Sequence, residues 1–328
     1  MSPCPDSPLR LGIQAFHRPP PGGEPWLPGI ASLRATVELV DGSGYDSMWA
    51  GDHVSFPVPF LDPLQQIAQA AAFSPRLTFG TAVYLLPLRH PAPVAKEIST
   101  LDHLTEGRLI FGVGVGGEFP KEYEVCGVPL KQRGARLGES IKVMRKLWSG
   151  QPATHQGQFF NFSDVQMLPA PRQQGGPPIW AGGRSDTALA RAARLADGWI
   201  GYAVTPGMYR ESLDKIQAAA RQAGRDIPNF GTGHLLFACV ADSYDKAFAA
   251  ANETLSRRYA MDFTRATGRY AALGTPEQVA EKIREFHAAG VRHVVLDLLG
   301  PFDSRDEQIR QFAQSGLPLL HDIRQPIP

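Results

Sequence analysis

The stretch GVGVGGEF, residues 112–119, places Gly112, Gly114 and Gly117 at the spacing G-x-G-x-x-G. An apolar run precedes them and Glu139 follows, which is the pattern of a dinucleotide-binding turn with an acid for the ribose. That chemistry needs a helix to begin at the glycines, so that its free N–H groups meet a pyrophosphate. Here the glycines lead into EFPKEYEVCGVPLKQ. Pro120 opens a helix there, Gly127-Val128-Pro129 ends it within two turns, and the long amphipathic helix waits until about Arg133. The glycines therefore close a strand, where the lack of Cβ lets a flat ligand press on the backbone. The expectation is a ligand surface at a strand end.

Other reactive patterns are missing. The nine histidines form no H-x-x-x-H or H-x-H pair, so the metal site of a barrel hydrolase lacks its ligand spacing. No G-x-S-x-G nucleophile elbow occurs. Cys4, Cys126 and Cys239 are odd in number, far apart and free of C-x-x-C spacing, which reads as free thiols in a reducing cytoplasm. Cys126 has no His or Asp beside it in sequence to activate it as a nucleophile. Arg89 and His90, in PLRHP, read as helix-capping or positioning groups.

The elements that position these residues alternate. Strands are expected at LRLGIQAF (9–16), YDSMWAG, RLTFGTAVY, GRLIFGVGV, PPIWAGG, DGWIGYAV, NFGTGHLLFACVA and VRHVVLDLL, with amphipathic helical segments between them. Eight strand–helix units over 328 residues predict one domain, residues 1–328, folded as a (β/α)8 TIM-like barrel; a doubly wound sheet is the competing architecture. Insertions fall after strand 4 (118–132), before strand 5 (151–176) and after strand 7. Within the last, residues 256–274 suit a lid, a dimer arm or a surface helix.

Lys plus Arg total 33 against 32 Asp plus Glu, with no block of like charge, which argues against nucleic acid or a membrane surface as partner. The N-terminus has no signal-peptide pattern and no run reaches the length of a membrane span, so a cytoplasmic enzyme is expected.

Taken together, YDSMWAGDHV, FGTAVYLLPLRHPAPVAKEISTLDHLTEGRLIFGVGVGGEF, RGARLGESIKVMRKLW and PPIWAGG…ARAARLADGWIG resemble the bacterial luciferase-like family of flavin- and deazaflavin-dependent oxidoreductases. The resemblance runs over residues 9–300 or so and implies the same TIM-like barrel. It places Asp52 and His53, at the end of strand two, over the ring of the cofactor as catalytic or substrate-contacting groups. A histidine there suits acid–base work because its pKa lies near neutrality. It implies a bulge at Ala82–Val83, with a non-prolyl cis peptide, behind the central ring. Gly114, Val115 and Gly116 would line one cofactor edge.

Ala181, Gly182, Gly183, Arg184 and Ser185 would hold the cofactor phosphate at a helix start. Free N–H groups, the positive end of the helix and a Ser cap make an anion site there. Arg184 either adds charge to that site or is a solvated cation. Gly117-Glu118 stands where the family often has Trp, a change in the pocket wall.

The implied cofactor is F420, for hydride transfer, or reduced FMN, for O2-dependent monooxygenation. A separate reductase would supply its reduced form. The substrate is expected to be a small, apolar or mildly polar molecule, from Phe119, Phe159, Phe160 and Phe162 in the insertions. A homodimer is the default assembly. A flavin-binding barrel without turnover and a metal-dependent barrel hydrolase are the alternatives.

Overall fold

Eight short parallel strands, each followed by a helix that returns the chain to the same end, have only a few ways to pair, and here they close on themselves. The computed structural model describes residues 7–15, 29–56 and 59–325. The strands are β1 (Arg10–Gln14), β2 (Ser47–Ala50), β3 (Thr78–Thr81), β4 (Leu109–Val113), β5 (Ala153–Gln156), β6 (Asn161–Val165), β7 (Ile179–Gly182), β8 (Gly198–Tyr202), β9 (Gly231–Val240), β10 (Ala272–Gly274) and β11 (His293–Leu298). The helices are α1 (Ile30–Gly42), α2 (Pro63–Ala71), α3 (Pro91–Leu104), α4 (Pro120–Val125), α5 (Arg133–Leu147), α6 (Asp186–Leu195), α7 (Pro206–Gln222), α8 (Tyr244–Tyr259), α9 (Thr264–Tyr270), α10 (Pro276–Ala288), α11 (Arg305–Gln311) and α12 (His321–Arg324).

The order β1-β2-β3-β4-β7-β8-β9-β11 returns to β1, with every neighbouring pair parallel. The expected (β/α)8 barrel is thus the observed fold. The pairings β8–β9 and β11–β1 close the ring, which a doubly wound sheet leaves open. β10 lies outside it, paired to the far end of β9 through Ala272↔Ala238 and Gly274↔Val240.

Side chains alternate between the barrel interior and the helix layer. The interior is filled by Trp49 and Trp180, whose ring centroids are 5.7 Å apart, with Ile200 and Val295 packed beside them. Room for these rings comes from glycine. A Cβ on Gly80 would lie 2.5 Å from the Trp49 ring, and one on Gly233 2.6 Å from the Trp180 ring. The opposite faces of the same strands, Leu11, Met48, Phe79, Phe111, Ile179, Trp199 and Leu236 among them, meet the helices in the main core.

The three insertions take on different structures. Residues 118–132 hold the six-residue α4, which ends before Gly127 as the sequence requires. Within 151–176, β5 and β6 form an antiparallel hairpin that sequence patterning missed, because its two short strands bury little on either face. Glu139 on α5 ties the hairpin down by accepting from the N–H groups of Gln158, Phe159 and Phe160 at 2.8–3.1 Å. Burial works against the Glu139 charge, but those N–H groups and His155 overcome it and hold the carboxyl below its ordinary range. Glu139 is therefore a hairpin anchor, and no ribose acid is needed to explain it.

After β9, α8 ends at Ala260, whose φ is 51°, and the chain continues as α9 and β10. Phe237, Cys239, Ala247, Ala251, Leu255, Leu273 and Leu299 form a smaller apolar core beneath it. Among the described residues no helix is long and apolar enough to cross a membrane.

Candidate active site

The C-terminal ends of the barrel strands and the loops after them form the end that carries function in this architecture. After β2 the chain runs Gly51-Asp52-His53. The two ionisable residues part company there. Asp52 turns into the protein, where its carboxylate is 0% exposed, accepts from the Leu85 N–H at 2.8 Å and forms a two-point ion pair with the Arg89 guanidinium. Burial works against the Arg89 charge, but Asp52 outweighs it and raises the pKa of the guanidinium. Arg89 also stacks on Tyr84, 4.4 Å from its ring centre. The acid is spent on clamping the β2 loop to the β3 loop and does not present an oxygen to the barrel mouth. Arg89 is the positioning group that PLRHP suggested, and His90 caps α3 by accepting from the Ala92 N–H at 3.2 Å.

His53 stands apart from that clamp. Its ring lies against Phe56 at 3.9 Å and meets the edges of Phe60 and Phe119 at 4.8 and 6.1 Å. Nδ1 is 3.1 and 3.2 Å from the two oxygens of Glu122, a buried carboxylate on α4 that also accepts from the Val54 and Ser55 N–H groups at 2.8 and 3.2 Å. An ionised carboxylate only accepts, so Nδ1 carries a hydrogen and donates it. Carboxylate-held imidazoles of this kind are fixed in tautomer and orientation. The side chain is 20% exposed.

Glu122 was not singled out from sequence. Its signal was weak: one of three glutamates in EFPKEYEV, on a helix too short to show periodicity. Of the four phenylalanines expected at the pocket, Phe119 stands beside His53, while Phe159 and Phe160 belong to the hairpin, under Arg136, and Phe162 stacks on His155. Phe56 and Phe60 take the place expected for them. Cys126 is no nucleophile: burial pushes its thiol up, and the thiolate is disfavoured.

Next around the barrel, β3, β4 and β7 end in a shelf made of Val83 and the glycines that give it room. The Ala82–Val83 peptide is cis. Ala82 and Val83 both pack inside the barrel, above the tryptophan pair. Val83 is seated against two glycines: a Cβ on Gly114 would lie 2.4 Å from it, and one on Gly182 3.0 Å. Four residues named from sequence, on three strands, thus converge. Val115 and Gly116 continue beyond the shelf, where the Val115 carbonyl accepts from the Tyr123 hydroxyl. The Ala181 side chain points the other way, into the helix layer, so only its backbone is available.

Gly183 accepts from Trp199 Nε1 at 2.7 Å and leads into α6. Ser185 caps that helix through the Ala188 N–H, 3.3 Å away. Arg184 is exposed and reaches the Ala203 carbonyl at 2.9 Å, which fixes a cation beside the helix start. Asp186, in the first turn, is offset by Lys215 at 2.7 Å.

Gln14, at the end of β1 beside Gly51, has a buried side-chain oxygen with no hydrogen-bond partner among the described residues. Such an acceptor at a barrel mouth can take a donor from a ligand. Among the described residues no three His, Cys, Asp or Glu side chains come together as metal ligands.

The sequence profile of the luciferase-like monooxygenase family matches residues 9–293. The chain is 30% identical over 226 residues to the oxygenase component of a flavin-dependent trigonelline monooxygenase of Acinetobacter baylyi, a match covering 66% of this chain and 61% of that protein. Its fold superposes on the monooxygenase RslO1 from Streptomyces bottropensis with a TM-score of 0.80 and 24% identity, over 94% of this chain and 99% of that one. An F420-dependent secondary alcohol dehydrogenase, solved with an F420–acetone adduct, gives a TM-score of 0.81 at 22% identity, over 95% of this chain and 99% of that one. With the profile matching from β1 into β11, the chain belongs to the luciferase-like monooxygenase family and is an oxidoreductase.

Proposed function

We propose that the protein binds a flavin-type cofactor, F420 or reduced FMN, at the barrel mouth and uses it to oxidise or reduce a small organic molecule. The observation that carries this reading is a glycine-backed shelf beside a histidine held by a buried carboxylate. A planar ring system fits the shelf of Val83, Gly114 and Gly182, where a larger residue at either glycine would collide with Val83. The unpartnered oxygen of Gln14 suits a ring N–H or hydroxyl, and Arg184 with the capped start of α6 suits a phosphate. When bound, F420 supplies hydride chemistry and reduced FMN supplies activation of O2.

The chain's own part is orientation, water exclusion and proton handling. Phe56, Phe60 and Phe119 keep water from His53, Glu122 fixes its tautomer, and Nε2 accepts or returns a proton. Asp52 and Arg89 act one step back, by holding the β2 and β3 loops in register. The similarity to an oxygenase component supports a separate reductase as source of reduced cofactor, and a homodimer is the proposed assembly.

A fluorescence titration of the purified protein with F420 and with FMN, each oxidised and reduced, tests the reading. Tight binding of F420 alone assigns hydride transfer, and tight binding of FMN alone assigns monooxygenation. Binding of neither contradicts the proposal. Cofactor binding with turnover unaffected by His53→Gln contradicts the role given to His53.

A further inference from the structure

Across the mouth from His53, where β8, β9 and β11 end, a second polar group serves none of the roles described so far. Tyr202, on the interior face of β8, and Tyr259, at the last turn of α8, place their hydroxyls 2.6 Å apart. Tyr202 packs edge-on against Phe237 at 5.5 Å, and Tyr259 stacks on Phe263 at 4.7 Å, so both rings are fixed while each residue stays partly exposed. Beside them Arg258 pairs with the buried Asp297 of β11 at 2.6 and 3.4 Å.

Two hydroxyls hold two hydrogens, and one hydrogen bond between them uses one. Among the described residues the other has no further acceptor and is left to donate. Burial raises the pKa of both tyrosines, and Glu118 adds to the rise in each, so both stay protonated at neutral pH. Nearby charge then bears on what they receive. Arg258 is paired with Asp297, and Glu118, in the loop after β4, adds negative charge to the field at both tyrosines. A carboxylate or phosphate is repelled there, whereas a neutral oxygen is not.

We propose that Tyr202 and Tyr259 form an oxygen-recognition subsite that takes the carbonyl or hydroxyl oxygen of a neutral substrate, with Glu118 selecting against anions. This rests on the reading of the barrel mouth as the reaction site, and names the substrate class. It also gives residues 256–274 a function: the break at Ala260 ends α8 where Tyr259 reaches the mouth.

The test uses ligand-observed NMR titrations of three probes of similar size, cyclohexanone, methylcyclohexane and cyclohexanecarboxylate at pH 8, against the protein with and without cofactor. The wild type is expected to bind the ketone best and the carboxylate least. The double variant Tyr202→Phe/Tyr259→Phe keeps both ring stacks; ketone affinity falls about fivefold to tenfold while methylcyclohexane affinity is unchanged. Either single variant then shows which hydroxyl carries the free hydrogen. Glu118→Gln, at an exposed position, raises carboxylate affinity severalfold with no change for the ketone.

Ketone affinity unaltered in the double variant, a wild-type preference for the carboxylate, or no ketone binding at all overturns the subsite. Failure of F420 and FMN to bind overturns the proposed function instead, and the probe ratios in cofactor-free protein still score the subsite.

Discussion

Two histidines at different depths of the barrel make an instructive pair. His293, at the base of the interior, is buried edge-on to Trp49 and Trp180 at 5.2 and 5.7 Å, and its Nε2 meets Ser47 Oγ at 2.7 Å. Ser47 Oγ in turn accepts from Trp49 Nε1 at 2.8 Å, so the imidazole is tied into the barrel interior by neutral groups alone. Burial lowers His293 to about 4. His53 is also caged by aromatic rings, but its partner is a buried carboxylate and its side chain is 20% exposed. An aromatic cage alone makes a neutral, structural histidine. Adding an anchored carboxylate on one nitrogen and partial exposure equips the same side chain for proton transfer.

The largest predicted effect sharpens this contrast at the mouth. His53→Gln is expected to lower kcat/KM by about 10²- to 10⁴-fold, in steady-state assays with a neutral ketone or alcohol substrate. Cofactor affinity and melting temperature should stay near wild type. At the base the balance reverses. Trp180→Ala removes a ring that fills the barrel and is expected to cost about 3–5 kcal/mol in urea unfolding.

Glu122→Gln keeps an acceptor for the Val54 N–H but removes the charge facing Nδ1; kcat is expected to fall about 10- to 100-fold with KM unchanged. An equal rise in KM would mean that Glu122 only holds the loop.

A different effect concerns pH. His234 and His293 are buried, with folded values lowered by burial to about 3 and about 4, from 6.5. Between pH 6.5 and about 4 the unfolded chain therefore binds protons that the folded chain refuses. Stability falls as pH falls, by about 1.4 kcal/mol per pH unit for each histidine. Urea midpoints at pH 7 and pH 5 check this, and His293→Asn should reduce the slope by about one proton. Smallest is Ser185→Ala, which removes the α6 cap at a cost of about 1 kcal/mol and weakens cofactor binding a few-fold in fluorescence titration.

The barrel was legible because its signal repeats: eight apolar strand segments, each with an amphipathic helix, leave one closed arrangement. The shelf was legible for a local reason, since Gly114 and Gly182 stand where any side chain meets Val83, and glycines at strand ends show in the sequence. Asp52 misled because adjacency in sequence says nothing about direction; one residue after it the chain has turned, and the two side chains serve opposite sides of the loop. Glu122, Gln14 and the tyrosine pair were hidden for the converse reason. Tyr202 and Tyr259 lie 57 residues apart, and Glu122 follows His53 by 69, so only the fold brings each set together.

A crystal structure with whichever of F420 and FMN the titration selects tests whether the reaction site is the shelf beside His53. The cofactor ring is expected over Val83, Gly114 and Gly182, its phosphate at the start of α6, and His53 Nε2 turned towards it. A cofactor bound elsewhere, or a His53 that faces away from the ring, contradicts it.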